Sequence, residues 1–235
     1  MTDLAVHLTD IKYRWHTREP LILDIPRFDV AERERVFVKG PSGSGKTTLL
    51  NILGGIAVPE TGAVNILGRN LVGLSSAARD AFRADHIGFI FQMFNLVPYL
   101  SLVENVVLPC RFSPARRRRI EEKGSTPEAE ACRLLEHMEL NLARLRGRDV
   151  AKLSVGQQQR VAVARALIGS PGLVIADEPT SALDASARRL FLDLLIRELE
   201  DAGAALLFVS HDAALAEAFE RTVEIGEINS AGAGA

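Results

Sequence analysis

Cysteine and long apolar runs are scarce in this sequence. The two cysteines, Cys110 and Cys132, match no zinc-binding or redox spacing, so we expect free thiols in a reducing compartment. No charge-free apolar stretch approaches the ~20 residues that span a bilayer. The alternating start MTDLAVHLTDIKYRW has no signal-peptide pattern. These absences predict a soluble intracellular protein, for which any membrane role needs a partner.

An excess of charge of either sign is also absent. The chain has 28 Lys and Arg against 30 Asp and Glu, a formal net charge of -2. Such a chain has no overall field that attracts a polyanion, so we expect no nucleic acid partner. Its 235 residues suit one large α/β domain or a core with an inserted subdomain.

Short β-branched runs alternate with helical patterns along most of the chain. Continuously apolar strands that alternate with helices predict an α/β fold with a mostly parallel, buried sheet. The predicted strands cover residues 35–39, 86–91, 173–176 and 205–209, and the predicted helices begin at 45, 127, 154 and 184. Residues 4–8 and 11–15 alternate polar and apolar side chains, which favours a half-exposed antiparallel sheet at the N-terminus.

Residues 93–158 lack strand patterns, so we predict an α-helical subdomain inserted in a single domain that covers 1–229. Its basic run, residues 116–119, is expected to be a solvated helix face; contact with lipid headgroups or a partner is the alternative. The tail 230–235, SAGAGA, is expected to be disordered.

The octet GPSGSGKT, residues 40–47, lies between a predicted strand and a predicted helix and fits the phosphate-loop pattern G-x-x-x-x-G-K-[ST]. Glycines let backbone N–H groups close around phosphate oxygens. Lys46 can then reach the β- and γ-phosphates, and Thr47 offers a hydroxyl to Mg²⁺. The sequence therefore predicts a nucleoside triphosphate site.

Polar residues also follow two other apolar strands. LVIADEPTS places Asp177 and Glu178 at the carboxyl end of a strand, where parallel-sheet proteins hold their ligands. Asp177 suits indirect Mg²⁺ ligation, and Glu178 could orient or deprotonate an attacking water. His211, in FVSHD, could contact the γ-phosphate; a structural histidine is the alternative.

A second candidate anion site lies in AKLSVGQQQRVAVARAL, residues 151–167. Ser154 and Gln157 form a capping-box pattern in front of an apolar helix. A helix start with free N–H groups, Gly156 and no acid in its first turn suits an anion. One chain thus carries two candidate phosphate sites.

GPSGSGKT, the Gln of FIFQ, LSVGQ, LVIADEP, SALD and SHD occur in the order of the ATP-binding cassette (ABC) ATPases, which the chain resembles over residues 4–228. The stretch FIFQMFNLVPYLSLVENVVLP is similar to the lipoprotein-releasing and macrolide-exporting group, whose ATPase works with a separate membrane protein. The resemblance implies a phosphate-loop (RecA-like) core, ATP and Mg²⁺ as ligands, and ATP hydrolysis coupled to transport. It also implies a cytoplasmic protein, peripheral on the inner face of the membrane through an integral membrane permease subunit.

The resemblance assigns a role to each motif residue. Gln92 would touch Mg²⁺ or the water and report the nucleotide state to the membrane subunit. An aromatic ring stacks on adenine in the family; Tyr13 and Trp15 are both candidates, and alignment favours Trp15. The implied catalytic residues are Glu178, His211, Gln92 and Lys46, and the implied metal ligands are Thr47, Gln92 and Asp177. The implied nucleotide contacts are Gly40, Pro41, Ser42, Gly43, Ser44, Gly45, Lys46, Thr47, Thr48, Trp15, Ser154, Gly156, Gln157 and Asp184.

In the family, the LSVGQ region closes over ATP that is held by a second copy, so the resemblance implies a homodimer and accounts for two anion sites. Val155 departs from the family pattern, which usually has Gly there. A β-branched residue cannot easily take φ > 0. We hypothesise that Ser154 and the Gly156 N–H contact the γ-phosphate, with Val155 facing aside in a helical conformation.

The membrane subunit is expected to dock beside Gln92, with Phe94, Leu96 and Val97 as either interface anchors or subdomain core. One alternative function is that of a soluble ABC ATPase that acts on DNA or ribosomes. Such a protein has two cassettes or a long coiled coil, and residues 47–153 contain no sustained heptads. A phosphate-loop kinase would leave LSVGQ, SALD and His211 unexplained.

Overall fold

The computed structural model describes residues 3–145, 148–181 and 183–231. The strands are β1 Leu4–Tyr13, β2 Leu23–Ala31, β3 Arg35–Lys39, β4 Thr61–Ile66, β5 Arg69–Asn70, β6 Ile87–Ile90, β7 Leu173–Asp177, β8 Ala205–Val209 and β9 Arg221–Glu224. The helices are α1 Lys46–Leu53, α2 Ser76–His86, α3 Leu102–Phe112, α4 Pro114–Glu122, α5 Pro127–His137, α6 Leu142–Leu145, α7 Val155–Leu167, α8 Ala185–Ala202 and α9 Ile225–Ile228. Short 3₁₀ segments cover Val150–Lys152 and Ala213–Ala218. None of the helices within these ranges is both long and apolar enough to cross a membrane.

The larger sheet is parallel, with the strand order β6-β7-β8-β3-β9. Its inner strands are continuously apolar because both faces are covered; every residue of β8 is buried. The four predicted strands are confirmed, β3 and β8 with the predicted bounds, and the α/β fold class is confirmed with them. Parallel pairing brings the carboxyl ends of β6, β7, β8 and β3 to one edge, from which the site is built.

The smaller sheet is antiparallel, in the order β2-β1-β4-β5, as predicted for the N-terminal strands. Residues 4–8 and 11–13 of the two alternating segments belong to one strand, β1, whose pairing with β4 is irregular near Asp10, where φ is 52°. Residues 14 and 15 lie beyond the end of this strand. The sequence pattern does not predict β2, which contains Pro26. The proline is tolerated because β2 is an edge strand of this sheet.

Two apolar cores hold these layers together. One lies between the two sheets and includes the buried face of α1, with Leu49, Ile52 and Leu53 almost fully enclosed. The other lies between the opposite face of the parallel sheet and the helices α3, α5, α7 and α8. Helix α7 crosses this second core with every residue from 161 to 164 fully buried. The cores therefore fix α1 and α7, the two helices whose first turns carry the candidate phosphate sites.

Residues 93–158 hold α3 to α6 and the start of α7, and the described part of this segment contains no strand. The prediction that its basic run is a solvated helix face is wrong for Arg116, which is 2% exposed. Its guanidinium donates, over 2.7 to 3.2 Å, to the carbonyl oxygens of Ala84, Ile87, Ala166 and Ile168. Arg117 and Arg118 are exposed, as predicted.

The burial of Arg116 has a simple physical reason. Its four carbonyl partners lie at the carboxyl ends of α2 and α7, where backbone oxygens lack partners within the helix. A guanidinium has five N–H donors and can satisfy several such oxygens at once. Burial lowers the pKa of Arg116 to about 10, so the side chain stays charged. Arg116 therefore joins α4 to the ends of two other helices.

The described chain ends beside the phosphate loop. The Ser230 N–H donates to the carbonyl oxygen of Asp24 over 2.8 Å. Of the tail that is predicted to be disordered, residues 232–235 lie outside the described residues.

Candidate active site

The loop between β3 and α1 has the backbone of a phosphate cradle. Gly43 and Gly45 have φ values of 80° and 96°, which glycine adopts without strain. Gly45 is the N-cap of α1 and has no side chain to cap it, so the first N–H groups of the helix stay free for an anion. Lys46 Nζ donates to the carbonyl oxygens of Gly40 and Pro41, at 2.8 and 2.7 Å. The loop thus gathers N–H donors and one ammonium group.

A pocket of about 300 Å³ opens beside this loop and is lined by Trp15, Ile22, Gly43, Gly45, Lys46, Thr47 and Thr48. Trp15 follows the end of β1 and is 52% exposed, whereas Tyr13 is 8% exposed. The two rings meet edge to face, with their centroids 5.1 Å apart. Trp15 therefore presents the ring that is free to stack on a base, and Tyr13 supports it from the core.

Thr47 and Asp177 meet across the mouth of the loop. Thr47 Oγ1 lies 3.4 Å from Asp177 Oδ2, although the two residues are 130 positions apart in the chain. Burial raises the pKa of the Asp177 carboxyl, and the neighbouring Glu178 adds to this effect, while the hydrogen bond from Thr47 lowers the pKa. A hydroxyl and a carboxylate are the oxygen ligands that Mg²⁺ prefers, so this pair fits that ion.

Glu178 and His211 form the second polar pair. His211 Nδ1 lies 2.5 Å from Glu178 Oε2, because β7 and β8 are neighbours in the sheet and both residues follow those strands. The Glu178 side chain is 19% exposed and that of His211 is 68% exposed. Glu178 has φ of 45° and its N–H donates to Val209 O, so the backbone at this residue is strained but hydrogen-bonded.

Gln92 lies in an exposed turn after β6, the strand beside β7. Phe94, two residues later, is buried, with 8% of its surface exposed. Leu96 packs against the core between the parallel sheet and the helices α3, α5, α7 and α8. Arg165 on α7, which no sequence motif marks, holds this turn. Its Nη1 and Nη2 donate to the carbonyl oxygens of Asn95 and Phe94, at 2.6 and 2.5 Å.

The capping box predicted at the start of α7 is confirmed. Ser154 Oγ accepts from the Gln157 N–H, and Gln157 Oε1 accepts from the Ser154 N–H. Val155 is the first residue of the helix and is 47% exposed. Gly156 follows it in open surroundings: a Cβ added to this glycine would lie 3.9 Å from its nearest neighbour, Leu183 Cδ2. None of the residues from 154 to 157 lines the pocket beside the phosphate loop. The two anion sites of one chain are therefore separate.

Asp184 caps α8. Its Oδ1 accepts from the Ala187 N–H and the Ser186 hydroxyl, at 2.8 and 2.7 Å, and these hydrogen bonds lower the pKa of its carboxyl. Arg188, which no sequence motif marks either, donates to the Leu183 carbonyl and pairs with the Asp212 carboxylate beside His211. The SALD motif is thereby joined to the His211 segment, while its Ala182 lies outside the described residues.

Comparisons with known proteins agree on one family. The profile of the family described as "ABC transporter" matches residues 23–181. The lipoprotein-releasing system ATP-binding protein LolD of Hydrogenovibrio crunogenus is 35% identical over 97% of this chain and 96% of its own length. The macrolide export ATP-binding/permease protein MacB of Syntrophobacter fumaroxidans is 37% identical over 94% of this chain, which corresponds to 30% of that longer protein.

Solved structures give the same result. The ATP-binding cassette MJ0796, in a dimeric post-hydrolysis state bound to ADP and Pi, superposes with a TM-score of 0.80 at 36% identity, covering 93% of each chain. A second dimeric structure of MJ0796, described as a bacterial ABC transporter cassette, has a TM-score of 0.79 at 34% identity.

Proposed function

This chain belongs to the ABC transporter family, and we propose that its ATP hydrolysis powers a separate integral membrane subunit of the lipoprotein-releasing or macrolide-exporting type. The ATPase activity itself follows from the family and from a structural neighbour that holds ADP and Pi. The alternative of an ABC ATPase acting on DNA or ribosomes finds no support, because these relatives are named for lipoprotein release and macrolide export.

The observation that carries the proposed chemistry is the Glu178–His211 pair beside the Thr47–Asp177 pair. Glu178 would orient the attacking water and accept its proton, and His211 would hold the carboxylate and contact the γ-phosphate. Lys46 and the N–H groups of the loop would stabilise the charge that develops on the phosphate oxygens. Trp15 would stack on the base. Thr47 and Asp177, with Gln92, would hold Mg²⁺, which neutralises charge on the β- and γ-phosphates.

We infer that the working unit is a homodimer in which each nucleotide lies between two copies. The separation of Ser154 and Gly156 from the phosphate-loop pocket supports this arrangement, because neither site encloses a triphosphate alone. Val155 belongs to α7, and its exposed side chain leaves the Gly156 N–H accessible at the helix start. Ser154 and Gly156 of one copy would face the γ-phosphate on the other, with Gln157 and Asp184 beside them.

The membrane subunit would dock in a groove of about 540 Å³ between α2, β6 and α3. Its apolar wall is aromatic: Phe89 and Phe91 stack with centroids 5.4 Å apart, and Phe112 is 72% exposed. Asp80 and Arg83 give one side a charged rim. Gln92 directly follows Phe91, so a helix end seated here would contact the residue assigned to sensing. The chain would thus lie on the inner face of the membrane through this subunit.

Turnover measurements test the chemistry. Lys46→Ala should abolish productive ATP binding. Glu178→Gln should keep ATP binding while turnover falls by at least about 100-fold, because general-base catalysis is lost. Near wild-type hydrolysis by Glu178→Gln would contradict the role of Glu178.

Purification in mild detergent from native membranes tests the partner. We expect a stoichiometric integral membrane protein with the tagged chain. Phe112→Ser should weaken its recovery, whereas Ile56→Ser, which removes an exposed apolar side chain outside the groove, should not. A soluble partner, or equal recovery with both variants, would contradict this docking site.

A further inference from the structure

The turn α9 and Asn229, the residue that follows it, pack behind the two ends of the phosphate loop. Strand β9, which leads into α9, pairs in parallel with β3, which leads into the loop. The buried Ile225 side chain fills the space behind Gly40, where an added Cβ would lie 2.4 Å from Ile225 Cγ2. At the other end of the loop, an added Cβ on Gly45 would lie 3.5 Å from Asn229 Nδ2. The residues that follow β9 therefore form the back wall of the loop.

Asn229 is 7% exposed, and its amide group is fully hydrogen-bonded. Oδ1 accepts from the N–H groups of Asp24, at 2.8 Å, and Ala231, at 3.2 Å. Nδ2 donates to the carbonyl oxygens of Ile22, at 2.9 Å, and Ser44, at 3.3 Å. Because two donors face one end of the amide and two acceptors face the other, a flipped amide would lose all four hydrogen bonds.

The Ser44 carbonyl matters because of peptide geometry. The carbonyl of Ser44 and the N–H of Gly45 belong to one trans peptide unit, in which they point in opposite directions. When Asn229 holds the Ser44 oxygen, the Gly45 N–H is directed away from Asn229. The second acceptor, Ile22, also lines the nucleotide pocket beside Trp15. One amide thus holds the phosphate end and the base end of the pocket.

We propose that Asn229 is a positioning residue for the nucleotide: it orients the Ser44–Gly45 peptide and fixes Ile22 in the pocket wall. This inference rests on the proposed ATPase function of the same site. A positioning role and a purely structural role of Asn229 predict different results. If the role were purely structural, substitution would change the stability of the chain but would leave the affinity of the folded chain for ATP unaltered.

Two substitutions test the two halves of the amide. Asn229→Asp keeps the acceptor for Asp24 and Ala231 and replaces the donor with an oxygen that faces two carbonyls. Asn229→Ala removes both halves. A matched control is Asn105→Ala, because Asn105 is also fully buried and its amide bonds the backbone of Val97, Leu100 and Ser101.

The dissociation constant for ATP is measured by calorimetry and by quenching of Trp15, the single tryptophan, with the melting temperature recorded in parallel. Both Asn229 variants lose the two hydrogen bonds from Nδ2 to Ile22 and Ser44, so both should bind ATP about tenfold more weakly, with a smaller change in kcat at saturating ATP. Asn105→Ala should melt at a lower temperature and bind ATP like the wild type. Wild-type affinity in a folded Asn229→Asp or Asn229→Ala chain would overturn the inference. If the wild-type chain itself fails to bind ATP, the proposed function fails instead.

Discussion

Arg165 on α7 reaches the turn that follows Gln92, and its Nη1 lies 2.6 Å from the carbonyl oxygen of Asn95. Phe94 and Asn95 have φ values of 58° and 50°, a conformation that costs energy in residues other than glycine. Charge-assisted hydrogen bonds from a buried guanidinium offset this cost. The same helix begins at the capping box of Ser154. The turn expected to contact the membrane subunit and the helix expected to contact the second ATP are therefore one connected unit.

Arg165→Lys should uncouple these two parts. A lysine keeps the charge, but its compact ammonium cannot reproduce the planar fork that holds two carbonyl oxygens. We expect the isolated chain to bind ATP within about twofold of wild type, while stimulation of hydrolysis by the membrane subunit falls about tenfold, since two charged hydrogen bonds are disturbed. The assay compares ATP turnover by the isolated chain with ATP turnover by the complex reconstituted with the membrane subunit.

Arg160→Lys is the matched control for Arg165→Lys. Arg160 is on the same helix and faces Glu139 at 3.6 Å, a partly exposed ion pair of small expected worth. This variant should keep full stimulation. Equal stimulation of wild type and Arg165→Lys would contradict the connection between the Gln92 turn and α7.

Asp177 gives a prediction about pH. Burial raises the pKa of its carboxyl above the ordinary value of 3.8, so the folded chain holds this proton more tightly than the unfolded chain. The contribution of this group to the free energy of unfolding is fully present below pH 3.8 and is lost as the pH rises through the folded-state pKa. Without Mg²⁺, Asp177→Asn should therefore melt above wild type at pH 7, and this advantage should disappear near pH 3.8, while Mg²⁺-dependent turnover is lost.

Thermal melts in EDTA at both pH values check this prediction. Asp201→Asn, at an exposed position of α8, is the control and should follow the wild type at each pH. An Asp177→Asn chain that is no more stable than wild type at pH 7 would show that burial does not destabilise the ionised carboxylate.

The parts of the site that the sequence predicts are short segments whose signals are local. The strand β3, the phosphate loop and the start of α1 are contiguous, and Asp177, Glu178 and His211 each follow an apolar strand. Parallel pairing then brings these strand ends together, so knowledge of the fold class was enough to predict that they meet.

The residues that the sequence does not predict act through distant backbone. Arg116 binds the Ala166 carbonyl 50 positions away, Arg165 binds that of Asn95 70 positions away, and Asn229 binds that of Ser44 185 positions away. A backbone carbonyl has no sequence signature, so the partner of such a side chain is visible only in the folded chain. For this reason the sequence predicts a solvated face for the whole basic run, although Arg116 is buried.

Arg116→Met should destabilise the protein strongly. Methionine fills similar space, but the four carbonyl oxygens at the ends of α2 and α7 would lose their donor in a buried place. We expect a loss of about 3–5 kcal/mol in the free energy of unfolding, measured in urea. Arg117→Met, at the exposed next position, should stay within about 0.5 kcal/mol of wild type. Similar stability of both variants would mean that water replaces the guanidinium.

Val155 lies in the LSVGQ segment at the start of α7, which is expected to contact the ATP of a second copy. Because Val155 lies in the first turn of α7, glycine is not required there for backbone reasons. In a Glu178→Gln background with saturating Mg-ATP, light scattering should detect dimers both with Val155 and with Val155→Gly, the glycine costing only a few tenths of a kcal/mol in the helix. Val155→Asp should weaken the dimer, because it adds a negative charge at the helix start that approaches the γ-phosphate, even with the side chain facing aside. A monomer with Val155 and a dimer with Val155→Gly would mean that the valine side chain blocks the approach of the second copy.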